Sequence, residues 1–318
     1  MDLGTLISAG ALALMAAASG LGQTRAASKT HPDFEGVWSF ATLTPLERPA
    51  DLAGKTHLTD EEAAAYAKQV RERRNFDRRD GGAEADVSRA YNDLFYDFGN
   101  RASNQTSLIV DPPDGRLPAM TQFGQKRAAE RAAKNAAIPN GPEDRPLWER
   151  CILGFNSGPP MMPSGYNNNV QIYQVPGYAV LFNEMVHSAR VVPLDGRPHG
   201  TLRQWMGDSR GHWEGDTLVV DTINFTSAGT GTLGLRVSTD ENLHLTERFT
   251  RRDAKTLVYE FTVDDPTVWT KPWTASVPMT KTDEAIYEYA CHEGNYGMQD
   301  ILAGARAEEQ AAGQKQAK

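Results

Sequence analysis

The sequence predicts a mainly β protein, an antiparallel meander folded as a barrel or sandwich with a few peripheral helices. Two observations carry this expectation. From about Val170 onward, short apolar runs alternate with tight-turn signals such as Pro-Gly and Glu-Gly-Asp, which is typical of successive hairpins. The helical stretches precede this region and do not alternate with strands, which argues against a Rossmann or TIM-barrel architecture.

The composition is that of a folded globular chain. Of its 318 residues, 40% are hydrophobic and 23% are charged, enough apolar content to build a core. The net charge of −8 is spread along the chain without a basic stripe, so neither nucleic acid nor an anionic membrane surface is an expected partner. A small molecule is the expected partner, and the oligomeric state stays open.

An apolar stretch rich in leucine and alanine runs from about Leu3 to Leu21. It predicts a secretory signal peptide over residues 1–28 and therefore a periplasmic or exported protein. Because the segment before it contains Asp2 and neither lysine nor arginine, two alternatives stay open: an uncleaved N-terminal anchor, or a wrongly assigned start on a cytoplasmic protein. No other stretch reaches the ~20 apolar residues of a membrane span.

Residues 29–318 are predicted to form one β-rich domain. Thr59 followed by Glu62 is a capping box that begins a helix over about 59–75. The other elements expected outside the hairpin region are a strand at 33–40, an irregular lid or loop at 77–104, a strand that runs into the Pro112-Pro113-Asp114-Gly115 turn, a surface helix at about 121–137 and a C-terminal helix.

The hairpin region is predicted from its turn signals. The expected hairpins are VQIYQV-PG-YAVLFNEM followed by SARVVPL, GHW-EGD-TLVVDTINF, LHLTERFTR-RDAK-TLVYEFTVDD, and WTASVPMTK-TDE-AIYEYACHE.

Cys151 and Cys291 are the two cysteines of the chain. In an oxidising compartment such a pair predicts a disulfide, whereas in a reducing cytoplasm two buried thiols would be expected. Strand alternation at the end of the last predicted hairpin would turn His292 to the face opposite Cys291. His292 is therefore a candidate catalytic residue.

His187 follows a predicted strand, with Glu184 and Arg190 three residues to either side. A nearby carboxylate can tune a histidine as a general base, and an arginine can hold an anionic substrate group. The alternative is a histidine that hydrogen-bonds a turn.

His244 lies in ENLHLTERF, where strand geometry would turn Asn242, His244, Thr246 and Arg248 to one face. Such a polar face can point to solvent, or it can line a binding cavity inside a barrel. We therefore take His244 as a candidate catalytic residue and Asn242 as a candidate substrate-binding residue.

Asp208 and Arg210 form a charged pair between Trp205 and Trp213. Charged side chains flanked by indoles can line an aromatic-binding pocket, and the alternative is an exposed ion pair in a turn, which contributes little. No Walker loop, dinucleotide fingerprint, nucleophile elbow or HExxH motif is present, so no cofactor is expected. The histidines lack the spacing of metal ligands, so no metal is expected either.

A set of motifs resembles a family of mostly uncharacterised, typically exported bacterial proteins. The resemblance covers about Asp33 to Arg306 and is carried by TSLIVDPPDGRLP, GYNNNVQI, PGYAVL, RVVPLDGRPH, WMGDSRGHWEGDTLVVDTINF, ENLHLTERFTR, VDDPTVWTKPWT and YACHEGNYG. The hairpin from Gly211 to Asp216 also resembles that of lipocalin-like β-barrels, which implies a cavity for apolar or aromatic molecules.

A fainter resemblance points to cofactor-independent lyases that remove a side-chain carbon, as CO₂ or formaldehyde, from lignin-derived phenylcoumaran dimers to give stilbenes. It implies a carbon–carbon lyase in which His187 or His244 acts as acid or base, Arg190 holds a carboxylate, and Trp205, Tyr173 and Trp269 stack on aromatic rings. Two alternatives remain: an exported binding protein without catalysis, and a hydrolase that uses a histidine-activated water.

Overall fold

The computed structural model describes residues 31–89, 92–226 and 241–316. The predicted signal peptide lies outside the described residues. The described residues from Asp33 onward form one compact unit. None of the helices in the described ranges is long and apolar enough to span a membrane.

In the described part of the chain, ten strands form one antiparallel sheet, which confirms the predicted fold class. They are β1 (Gly36–Ser39), β2 (Ile109–Asp111), β3 (Asn169–Val175), β4 (Tyr178–Asn183), β5 (Ala189–Pro193), β6 (Asp208–Glu214), β7 (Thr217–Ile223), β8 (His244–Arg251), β9 (Thr256–Asp264) and β10 (Trp273–Thr282). Their order is β5-β4-β3-β1-β10-β9-β8-β7-β6, and β2 pairs with β10. The hairpins β3–β4, β6–β7 and β8–β9 are those that the turn signals predict.

The two terminal strands of this order, β5 and β6, do not pair with each other among the described residues. They nevertheless approach closely, because a Cβ added to Gly211 of β6 would lie 2.9 Å from a side-chain atom of Val192 in β5 and 2.6 Å from one of Leu194. Glycine is therefore the residue that lets these strands pack together.

The core lies on one face of the strands. In β9 every second side chain is fully buried, namely Leu257, Tyr259, Phe261 and Val263, as the period of two in a strand requires. Burying a large apolar side chain of this kind contributes about 1.5–3 kcal/mol. The opposite face carries polar side chains in β6 and β8, and in β7 it carries Thr217 and Asp221 beside the apolar Val219 and Ile223.

Four helices accompany the sheet in the described ranges: α1 (Asp60–Arg74), α2 (Gly82–Ser88), α3 (Gln122–Ala136) and α4 (Tyr296–Gln316). The predicted capping box is present, with Glu62 N–H donating to Thr59 Oγ1 and the Glu62 side chain accepting from Thr59 N–H. The prediction of an irregular segment at 77–104 is wrong where α2 forms.

The last predicted hairpin is wrong. Strand β10 ends at Thr282, and the AIYEYACHE segment contains no strand. The physical reason lies in the sheet order: β10 already pairs with β9 on one side and with β1 on the other, so no edge remains for a returning strand. Cys291 and His292 therefore lie in the turn before α4, and the predicted alternation of their side chains does not apply.

The predicted disulfide is present between Cys151 and Cys291, whose Cα atoms are 5.6 Å apart across 140 residues of sequence. It ties the segment before β3 to the turn before α4. The Asn295 side chain strengthens this junction, because its Nδ2 donates to the carbonyl oxygen of Glu149 over 2.9 Å.

Candidate functional site

Histidines and carboxylates gather on the face of β6, β7 and β8 that points away from the core. We call this group the His–Asp cluster, and its members are His199, Asp208, Arg210, Asp221 and His244. In β8 the buried side chains are Leu245, Glu247 and Phe249, so that His244 and its alternate neighbours face outward.

Asp221 joins the two imidazoles of the cluster. His199 Nε2 lies 2.9 Å from Asp221 Oδ1, and His244 Nε2 contacts the second oxygen, Asp221 Oδ2. One carboxylate thus orients two rings, an arrangement in which a carboxylate can stabilise an imidazolium as it forms.

The other nitrogen of His199 faces a second carboxylate, with Nδ1 3.2 Å from Asp208 Oδ2. Both ring nitrogens can donate only when the ring is protonated. The His199 ring therefore lies between the carboxylates of Asp208 and Asp221.

Three hydrogen bonds hold the loop that carries His199 to the start of β6 and to the residue that follows β7. Gly200 N–H donates to Asp208 Oδ2 over 2.8 Å, Asn224 Nδ2 donates to the Gly200 carbonyl oxygen over 2.8 Å, and Gln204 N–H donates to the Asn224 carbonyl oxygen over 2.9 Å. Because the loop is fixed at Gly200 and at Gln204, the His199 ring is directed at the strands and not at solvent.

Asp208 is the most buried carboxylate of the cluster, with 11% of its side chain exposed. Burial alone would raise its pKa, but the Gly200 N–H and the Arg210 guanidinium outweigh burial and lower the pKa below its usual value. Arg210 Nη1 lies 2.5 Å from Asp208 Oδ1. Asp208 is therefore held in its charged form beside the His199 ring.

Exposure divides the cluster into an inner and an outer part. The side chain of His244 is 48% exposed and that of Asp221 33%, against 22% for His199. A group that exchanges a proton with a substrate must be reachable, so His244 is the member placed to do so, and His199 and Asp208 support it from behind.

A second polar group lies inside the core and connects β5 with β8. Arg190 makes a two-pronged ion pair with Glu247, and Tyr259 Oη donates to Glu247 Oε1 over 2.7 Å. Burial, followed by the charge of Glu247, raises the pKa of Tyr259 well above its usual value. Burial alone would lower the pKa of Arg190, but Glu247 outweighs it and raises this pKa.

The structure brings together three of the residues that the sequence suggested, namely Asp208, Arg210 and His244. Asp208 and Arg210 lie within β6 and not between strands. Arg190 is engaged with Glu247 in the core, where the guanidinium is not open to a substrate carboxylate, so its expected role is corrected. Trp205 is 37% exposed and precedes Asp208 by three residues, and Asn242 is exposed next to the start of β8.

The remaining candidates lie elsewhere. His187 is exposed in a short turn after β4, and its backbone N–H donates to the Glu184 carbonyl oxygen over 3.3 Å, whereas the Glu184 carboxylate accepts from the Asn169 side chain and the Tyr287 N–H. His292 is exposed before α4. Neither imidazole hydrogen-bonds the His–Asp cluster within the described ranges. Tyr173 is exposed on β3, whereas Trp269 is 2% exposed and packs on Trp273, which leaves its ring no open face for stacking.

His199 and Asp221 are the two members that the sequence analysis missed. His199 lies in the loop sequence GRPHG, which has no periodicity that would direct its side chain. Asp221 does carry a signal, because an acidic residue interrupts the apolar strand TLVVDTI, and strand alternation places it on the same face as its cross-strand neighbour Arg210.

No group of three or more His, Cys, Asp and Glu side chains with metal-binding geometry occurs in the part of the chain that the structure describes. Comparison with protein-family models, curated proteins and solved structures gives no significant match.

Proposed function

We propose that the protein is an exported, cofactor-independent lyase that removes a side-chain carbon from a lignin-derived aromatic dimer such as a phenylcoumaran, giving a stilbene. The observation that carries the proposal is the hydrogen-bonded series His244–Asp221–His199–Asp208, in which a half-exposed imidazole is supported by a carboxylate and a second ring. The substrate class comes from the resemblance noted in the sequence. The disulfide is compatible with export.

In the proposed reaction His244 is the general acid. For a phenylcoumaran carboxylate, the bond between the ring carbon and the carboxylate breaks and CO₂ leaves. The released electron pair forms the stilbene double bond, the adjacent ether C–O bond breaks, and protonated His244 delivers its proton to the departing oxygen. Water then reprotonates His244, so that one proton is consumed for each CO₂ released.

Asp221 stabilises the charged form of His244 before proton transfer and keeps its ring in one orientation. Arg210 lies opposite Asp221 in the β6–β7 register, and its Nη2 has no partner among the described residues. We assign Arg210 the role of holding the substrate carboxylate in place of the buried Arg190. Trp205, at 37% exposure, is the aromatic side chain that we assign to stacking on the substrate.

The test is incubation of the purified protein with a phenylcoumaran carboxylic acid and with its γ-alcohol, while stilbene fluorescence is recorded and CO₂ and formaldehyde are measured. Stilbene and one equivalent of CO₂ or formaldehyde are expected from the matching substrate. If the wild type converts no member of such a panel, the lyase proposal is wrong.

The same cluster could activate water, because a His–Asp pair is also the base of many hydrolases. The two reactions differ in their products: hydrolysis adds water to an ester or amide and releases no one-carbon fragment. Turnover of aromatic esters that is lost in His244→Gln, without stilbene formation from any phenylcoumaran, would replace the lyase with a hydrolase. Binding of aromatic compounds without turnover of either class would indicate a non-catalytic binding protein.

A further inference from the structure

A cavity of about 410 Å³ lies between residues 48–56 and the Pro-Pro-Asp-Gly turn that follows β2. These segments belong to the N-terminal part of the sequence, whereas the His–Asp cluster is formed by residues 199–244. Its polar lining includes Arg48, Arg116 and Asp114, and its apolar lining includes Pro49, Ala53 and Pro113. None of these residues belongs to the proposed active site.

Arg48 is the unusual member of this lining, because it is 6% exposed and no carboxylate lies within ion-pair distance of it in the described ranges. A buried charge without a counter-charge is costly. Two neutral acceptors compensate in part: Nε donates to Thr106 Oγ1 over 2.9 Å, and Nη1 donates to the Pro113 carbonyl oxygen over 3.0 Å. Nη2 has no partner among the described residues.

The turn is shaped around this guanidinium. Gly115 has a φ of +70°, and a Cβ added there would lie 3.0 Å from Arg48 Cζ and 2.4 Å from Ser107 Oγ. The Gly115 carbonyl oxygen in turn accepts from Arg48 N–H over 2.8 Å. The backbone thus approaches the arginine at a distance that a side chain would prevent, and the guanidinium is fixed before any ligand arrives.

The lining carries two positive charges and one negative charge in a protein whose overall charge is −8. Arg116 is exposed at the rim. Its backbone N–H, and not its guanidinium, donates to Asp114 Oδ1 over 3.1 Å. A buried guanidinium with free donors binds planar oxyanions in a two-pronged manner, and the two prolines and the alanine offer an apolar wall.

We propose that this cavity is a binding site for a small organic carboxylate, with the carboxylate on Arg48 and Arg116 and the organic part against Pro49, Ala53 and Pro113. The bound anion supplies the counter-charge that Arg48 lacks. The site is separate from the His–Asp cluster, so ligand binding here does not depend on the proposed lyase activity.

Calorimetric titration of the full chain with benzoate tests the site, and benzamide is the uncharged probe of the same shape. Saturable binding of benzoate and none of benzamide is expected, with inorganic phosphate weaker because it makes no use of the apolar wall. Arg116→Ala and Arg48→Lys should each weaken benzoate about tenfold, and Asp114→Asn should strengthen it because a repelling charge is removed.

One control makes the test specific. Arg252→Ala removes an exposed arginine elsewhere and should leave binding unchanged. Because Arg48→Lys can also weaken the fold, its unfolding curve is measured, and the exposed Arg116→Ala carries the conclusion if Arg48→Lys is unfolded. Equal binding of benzoate and benzamide, tighter binding of phosphate, or unchanged affinity in Arg116→Ala would overturn the proposal.

Discussion

His199, from the loop before β6, and Asp221, from β7, lie 2.9 Å apart between Nε2 and Oδ1. This contact joins the loop before β6 to β7, and it aligns the Asp221 carboxylate so that its second oxygen contacts His244. The arrangement supports an acid–base centre on the polar face of the sheet, and each of its parts can be altered singly.

Asp221→Asn is expected to reduce turnover of the matching substrate by about 10²–10⁴-fold, because the charge that stabilises protonated His244 is lost while the shape of the side chain is kept. The loss should fall mainly on kcat, with KM little changed, since Asp221 does not touch the substrate in the proposed reaction. Thr222→Ser, at the neighbouring buried position, is the matched control. A rise in KM with kcat unchanged would contradict the assigned role.

Asp208→Asn is expected to lower the free energy of unfolding by about 1–2 kcal/mol near pH 7, because the charge-assisted bonds with Gly200 and Arg210 weaken. The pKa of Asp208 is lowered in the folded protein, so the unfolded chain takes up this proton first as pH falls. The contribution of Asp208 is therefore complete above about pH 4, and it disappears as pH falls through the lowered pKa.

Urea unfolding of the wild type and Asp208→Asn at a series of pH values measures this directly, since other carboxyls titrate equally in both proteins. The difference between the two unfolding free energies should shrink below about pH 4. A difference that grows in acid would contradict the assigned direction of the pKa shift.

Arg190→Met is expected to destabilise the protein by about 3–5 kcal/mol, because Glu247 would be left buried and unpaired. Tyr259→Phe removes one hydrogen bond to the same carboxylate and should cost less, about 1–3 kcal/mol. The double variant Arg190→Met/Glu247→Leu should recover much of the loss. If the double variant is as unstable as Arg190→Met, the cost does not come from the unpaired charge.

Reduction of the Cys151–Cys291 disulfide is expected to lower the free energy of unfolding by about 2–5 kcal/mol. The intact disulfide closes a long loop in the unfolded chain and so reduces the conformational entropy of that state. Unfolding with and without dithiothreitol measures the difference, and the variant Cys151→Ser/Cys291→Ser should not respond to the reductant. Mass spectrometry of unreduced peptides should find the two cysteines linked, and two free thiols in exported protein would be evidence against the pairing.

Much of the fold was predictable because its signals are local. Pro176-Gly177 and Glu214-Gly215-Asp216 mark hairpin turns, and Thr59 with Glu62 marks a helix start, and all of these depend on nearby residues only. The strand predicted for AIYEYACHE failed because its formation depends on a free neighbour in the sheet. Since β1 occupies that place beside β10, a distant segment decided the outcome.

The site was predictable only in part, for the same reason. Strand alternation correctly put His244, Thr246 and Arg248 on one face, but the assembly of the cluster requires β6, β7 and β8 side by side together with the His199 loop. Arg190 was expected to face a ligand, and alternation along β5 instead turns it into the core towards Glu247. A charged residue in a short strand does not itself reveal which face is buried.

The proposed role of His244 is best tested by comparing the turnover of His244→Gln with that of His212→Gln. Both histidines lie on the same polar face and both contact a carboxylate, Asp221 for His244 and Glu214 for His212. We expect His244→Gln to lose stilbene formation by about 10²-fold or more while its unfolding curve stays near that of the wild type, and we expect His212→Gln to keep full activity. If both variants were as active as the wild-type protein, the proposed role of His244 would be contradicted.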